Sequence, residues 1–170
     1  MRITVTDACI FIDLLECQAY EAFFQLSFKV VTSYQVWMEL DKEHREILEK
    51  WVESEQLTII KIKEDFVQKT QNKRLSSSLS VADLSVWYIA DENENILLTS
   101  DGTLRTMAKR HEIKTHGLLW IFDQLFREDI LSPKELISKL QHIFDINVYY
   151  RTNSKLYNAF KRMKKKWEQS

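Results

Sequence analysis

The sequence predicts an α/β domain built on a central, mostly parallel sheet, and three observations carry that reading. Short β-branched or apolar runs alternate with segments of helical periodicity along most of the chain, the order of βαβ units. The run Ile96-Leu97-Leu98-Thr99 is apolar without alternation, as in a strand covered on both faces. Two Gly and one Pro among 170 residues leave too few turn residues for an all-β fold.

Taken in order, residues 3–6 form a β-branched strand ending at Asp7. Ile10, Phe11, Leu14 and Leu15 then recur at helical spacing. Residues 28–32 read as a second strand and 34–53 as one long helix, with Val36, Leu40, Ile47, Leu48 and Trp51 on one face. A strand over 57–62 and a mostly polar helix over 65–73 follow, then a serine-rich break at 76–80 and a heavily apolar helix over 81–91. Residues 96–99 are the buried strand, 104–111 a helix, 113–116 a short strand and 118–127 another helix. Beyond Leu131 the character changes. Pro133 opens a helix running to about Phe144, the stretch Asn147-Val148-Tyr149-Tyr150 reads as extended, and a last helix over 154–167 ends in a basic run. The expected organisation is a domain over 1–130 with a helical C-terminal extension over 131–170 packed on it.

Composition narrows the function. With 45% apolar and 12% aromatic residues the chain is globular, and its length suits one compact domain. Gly102 and Gly117 alone cannot build a P-loop or a dinucleotide fingerprint. A net charge of −1 gives no strong overall positive field, so nucleic-acid contact requires a local patch. Cys9 and Cys17 match no zinc spacing and read as buried thiols in a reducing compartment. Asp7 and Asp13 interrupt the N-terminal apolar stretch and no run of about 18 apolar residues occurs, so the expected place is the cytoplasm, with no membrane contact.

In open α/β sheets, side chains just past the carboxyl ends of strands face a crevice. Asp7 follows the first strand, Asp101 follows the buried strand, and Asp83 lies in the first turn of the apolar helix. If the first and fourth strands are neighbours, these carboxylates converge, and a hard divalent cation relieves their mutual repulsion. Each also has a structural reading: Asp7 and Asp101 as N-caps, and Asp83 in a capping box with Ser80. Glu39 lies at the edge of the apolar helix face with Glu43 one turn on, and periodicity does not choose between them.

The ordered set Thr6-Asp7-Ala8-Cys9-Ile10-Phe11-Ile12-Asp13, Thr32-Ser33-Tyr34 leading to Glu39-Leu40, Leu79-Ser80-Val81-Ala82-Asp83, and Leu98-Thr99-Ser100-Asp101-Gly102-Thr103-Leu104 resembles a PIN-domain ribonuclease over residues 1–128. The resemblance implies a three-layer α/β/α fold and makes Asp7, Glu39, Asp83 and Asp101 an acidic quartet binding Mg²⁺ or Mn²⁺ for hydrolysis of RNA phosphodiesters. It also implies the toxin half of a bacterial toxin-antitoxin pair, held by a small antitoxin protein, and it selects Glu39 over Glu43. The sequence departs from the pattern in its long segment after Leu131 and in lacking a second aspartate soon after Asp101.

Arg105 and Lys109, on the helix that Asp101 opens, are the expected contacts to the RNA backbone. The basic run Lys161 to Trp167 fits a solvated helix end better than an RNA surface. His44, His111, His116 and His142 are dispersed and read as structural or solvent-facing. Apolar side chains in 20–28 and 118–126 exceed what a small core absorbs, which predicts a homodimer or an antitoxin-covered face. Two other readings compete. One is a non-catalytic PIN-like module that binds protein or nucleic acid; the other is a phosphoacceptor receiver domain, for which Lys114 is poorly placed.

Overall fold

The computed structural model describes residues 2–63, 65–71, 73, 78–92 and 94–170. The expected serine-rich break lies partly outside the described residues, at 76 and 77. The chain divides into two compact units, one of residues 2–12 with Ser27–Gly117 and one of Asp13–Leu26 with Leu118–Ser170.

Among the described residues, the first unit contains one sheet of five strands: β1 (Ile3–Thr6), β2 (Lys29–Ser33), β3 (Leu57–Ile60), β4 (Ile96–Leu98) and β5 (Thr115–His116). All are parallel, in the order β3-β2-β1-β4-β5. The three central strands, β1, β2 and β4, are mostly β-branched or aliphatic and almost wholly buried, as a sheet covered on both faces requires, while the outer strands β3 and β5 are largely half-buried. The expected adjacency of the first and fourth strands holds, with Thr4 opposite Ile96 and Thr6 opposite Leu98. The chain winds outward from β1 to β3 on one side and resumes at β4 on the other, so β1 and β4 flank a topological switch point.

Five helices complete this unit: α3 (Tyr34–Glu39), α4 (Lys42–Glu53), α5 (Phe66–Gln71), α6 (Val81–Glu92) and α7 (Gly102–Arg110). The helix expected over 34–53 is two helices. Leu40 turns extended (φ −64°, ψ 138°) while its side chain stays in the core, and Asp41 caps α4 by accepting the His44 N–H at 2.8 Å. The break leaves Glu39 at the end of one helix and Glu43 in the first turn of the next.

α1 (Ala8–Glu16) carries the chain from the first unit into the second, which holds α2 (Tyr20–Phe23), α8 (Leu118–Arg127), α9 (Pro133–Ile146), α10 (Val148–Thr152) and α11 (Ser154–Glu168). The segment expected to be extended at 147–150 is helical. Asn147 caps α10 by accepting the Tyr149 N–H, and buried Tyr150 packs on Phe144 and donates its hydroxyl to buried Asp13. Phe144 also stacks on Phe160, with ring centroids 4.9 Å apart. Basic residues of the C-terminal run have structural partners: Lys166 bonds Asp123 at 3.1 Å and lies over Phe126, Lys161 lies over Tyr157, and Lys164 pairs with Glu168 at 4.0 Å. The surface expected at 20–28 and 118–126 is mostly core. Phe23, Phe24, Leu26, Phe28, Leu118, Ile121, Phe122 and Leu125 are all buried, because the helices offer more covered area than a minimal α/β core.

Candidate active site

Asp7 stands at the carboxyl end of β1 and is only 4% exposed. Its Oδ1 accepts the Ala8 N–H at 2.7 Å, and its Oδ2 accepts the Thr99 hydroxyl at 2.8 Å and the Cys9 thiol at 3.1 Å. The Thr99 hydroxyl in turn accepts the Asp101 N–H at 3.1 Å, and Cys9 Sγ accepts the Ser100 N–H at 3.2 Å. The turn after β4 is thereby laced to the first aspartate across the switch point. Thr99 and Cys9 escaped the sequence reading; the one available signal is a hydroxyl ending an otherwise apolar buried strand, where a polar group requires a partner.

The capping readings of Asp101 and Asp83 are both realised. Asp101 caps α7, its Oδ1 accepting the Leu104 N–H at 2.7 Å. Asp83 Oδ2 accepts the Ser80 N–H at 2.7 Å while Ser80 Oγ accepts the Asp83 N–H at 3.0 Å, a reciprocal capping box. Each of these bonds engages a single carboxylate oxygen. The start of α6 is held beside β2 by Ser85, whose hydroxyl bonds Ser33 Oγ and the Ala82 carbonyl, both at 2.6 Å. Ser33 also caps α3, the helix that ends at Glu39.

Electrostatics brings three of the four acids together. Burial pushes the Asp7 carboxyl up; its thiol and hydroxyl donors pull the other way, and Asp83 adds to the rise. Burial also raises Glu39, followed by the negative charges of Asp7 and then Asp83. Asp7, Glu39 and Asp83 therefore share one field, with Asp101 attached through Thr99.

Residues 3–166 match the PIN domain family. The chain belongs to that family. No curated protein matches it. Among solved structures it is similar to a domain of a functionally unknown protein from Methanocaldococcus jannaschii DSM 2661, with 19% identity, 69% of this chain and 91% of that chain covered, and a TM-score of 0.49. The all-parallel sheet and its flanking helices are the α/β/α arrangement of a PIN domain, a nuclease-type fold.

PIN domains typically use divalent metals. In this one the acids form a looser group than their expected convergence: among the described residues, no three His, Cys, Asp or Glu side chains stand close enough to hold one ion together. The donor chemistry fits a hard cation nonetheless. All four candidates offer oxygen only, Asp7 is a carboxylate raised first by burial and further by the charge of Asp83, and Mg²⁺ is commonly held by one or two carboxylates with waters completing its shell.

The PIN domain places Arg105 half-buried beside the site, its Nη1 donating to the Thr99 carbonyl at 3.1 Å. Gly117 leaves room for it, since a Cβ there would stand 3.1 Å from that nitrogen. Arg105 thus braces the end of β4. Lys109, one turn along α7, is exposed. His116 is half-buried and held below its ordinary value, first by burial and then by Arg105, Arg2 and Lys114, while His111 packs edge-on against Trp87.

Proposed function

We propose that this PIN domain is a divalent-cation-dependent endoribonuclease, the toxin of a toxin-antitoxin pair, acting in the cytoplasm. The observation that carries the reading is the shared field of Asp7, Glu39 and Asp83 at the sheet's switch point, with Asp101 joined to Asp7 through Thr99. Asp7 and Asp101 would hold Mg²⁺ or Mn²⁺, with Asp83 and Glu39 completing the negative pocket. A cation held there lowers the pKa of water and neutralises charge developing on a phosphodiester. The protein's own part is to keep Asp7 dry and immobile through three donors and to fix the Asp101 turn against it. Glu39, at the surface but raised first by partial burial and then by the charges of Asp7 and Asp83, is suited to accept the proton of the attacking water. Lys109, with Arg105 behind it, supplies positive charge for the RNA backbone. A homodimer and a small protein antitoxin belong to the same proposal.

The test is cleavage of single-stranded RNA by wild type, Asp7→Asn and Asp101→Asn with Mg²⁺, Mn²⁺ or chelator. Asn caps helices about as well as Asp, so Asp101→Asn should keep the fold while losing the charge. The proposal expects metal-dependent cleavage abolished in both variants. Cleavage indifferent to chelator, or equal in all three proteins, overturns it.

A further inference from the structure

Among the described residues of the first unit, the exposed large apolar side chains are Tyr34 (41%), Met38 (51%) and Val81 (54%). All three line one open cleft of about 350 Å³ between α3 and α6, together with Gln35, Ala82 and Glu39. An apolar surface gathered at one place, rather than scattered, marks a contact site. Glu39 ties this cleft to the acidic site, because the same side chain feels Asp7 and Asp83.

Two cations stand beside these apolar side chains, opposite in charge to the Glu39 that lines the cleft. Lys61 Nζ lies 5.4 Å from the centre of the Tyr34 ring, and Arg45 Nη1 lies 3.4 Å from Met38 Sδ. An aromatic face flanked by cations is how proteins hold single-stranded nucleic acid: the ring stacks a base and the cations meet the phosphates on either side. The volume is near the low end of ligand pockets, about 300–1,000 Å³, which suits one planar ring system rather than a run of nucleotides.

We infer that this cleft seats one unstacked base of a single-stranded RNA on Tyr34, Met38 and Val81, with Lys61 contacting an adjacent phosphate. The inference rests on the ribonuclease reading and adds to it where the substrate enters: from the Glu39 side, with one base splayed out of the strand. A base held there would impose a preference for single strands, since duplex RNA keeps its bases stacked.

The experiment measures fluorescence anisotropy of a fluorescein-labelled ten-nucleotide single-stranded RNA, and of the same sequence as a duplex, with the full-length chain in chelator. The proteins are wild type, Tyr34→Ala, Tyr34→Phe and Lys61→Gln, each checked by thermal melting. Tyr34→Ala should weaken single-strand binding about 5- to 100-fold while Tyr34→Phe stays within about twofold, the range of one base stack. Lys61→Gln should reduce the slope of log K against log salt by about 0.7, one phosphate contact on a single strand. Duplex binding should be indifferent to Tyr34→Ala. Equal single-strand binding by Tyr34→Ala and wild type overturns the inference, even where wild type cleaves RNA and the ribonuclease reading survives. Tyr34-dependent binding with no cleavage supports the cleft and overturns that reading instead.

Discussion

Thr99→Val is the sharpest perturbation of the acidic site, because it changes a hydroxyl to a methyl at a position with no exposed surface and leaves the packed volume almost unaltered. Two strong bonds disappear, along with a longer contact to Cys9 Sγ at 3.5 Å. One is charge-assisted, from the Thr99 hydroxyl to Asp7 Oδ2 at 2.8 Å, and such bonds contribute about 1.5–3 kcal/mol. The other, from the Asp101 N–H at 3.1 Å, contributes about 1 kcal/mol, since Asp101 is exposed and water can replace the partner. The expected loss at pH 7 is about 2–4 kcal/mol by urea denaturation, or a drop in Tm of roughly 5–15 °C for a chain of this length. Acidity should shrink it. The Asp7 carboxyl is raised by burial, so it takes up its proton earlier than a free aspartate as the pH falls, and the first bond then becomes an ordinary neutral one worth about 1 kcal/mol. A loss below about 0.5 kcal/mol, or the same loss at pH 7 and in acid, refutes the claim that Thr99 holds an ionised Asp7.

Two further outcomes follow from the same groups. Asp7 has a folded-state pKa above its unfolded one, so its ionisation destabilises the fold; this effect is absent below the unfolded value, near 3.8, and complete above the folded one. The stability of Asp7→Asn relative to wild type should therefore rise between pH 4 and pH 7 in parallel denaturation series, and a flat difference contradicts the assignment. Burial pushes the Cys17 thiol up to about 12 and Cys9 higher still, with Asp7 adding to the rise at Cys9. Neither should be alkylated by iodoacetamide in the native protein at pH 7.5, and both should react in urea; rapid native labelling read by mass spectrometry would show an opened site.

The parts of the fold that were readable from sequence are those with local causes. The β1 aspartate, the apolar β4 and the helix opened by Asp101 each follow from a short run of residues, and the parallel sheet follows from their alternation. The break at Leu40 and Asp41 was hidden because apolar periodicity continues across it, although an aspartate placed to cap a new helix was there to be read. Helix α10 looked extended because its β-branched and aromatic residues favour strands, and its stability comes from Tyr150 meeting Phe144 and Asp13 far away in sequence. The bonds from Thr99 to Asp7 and Cys9 join residues about ninety positions apart and leave no local trace. The Tyr34 cleft was missed for a related reason: its apolar residues lie on two helices, and neither one alone shows an unusual stripe.

The most direct measurement of the central claim is Mn²⁺ binding followed by water-proton relaxation, comparing wild type, Asp7→Asn, Asp101→Asn and Glu43→Gln. If the carboxylates at the ends of β1 and β4 form the cation site, wild type and Glu43→Gln should bind alike. Asp7→Asn and Asp101→Asn should each then bind at least tenfold more weakly with their melting transitions intact. Equal Mn²⁺ affinity in all four proteins would contradict it.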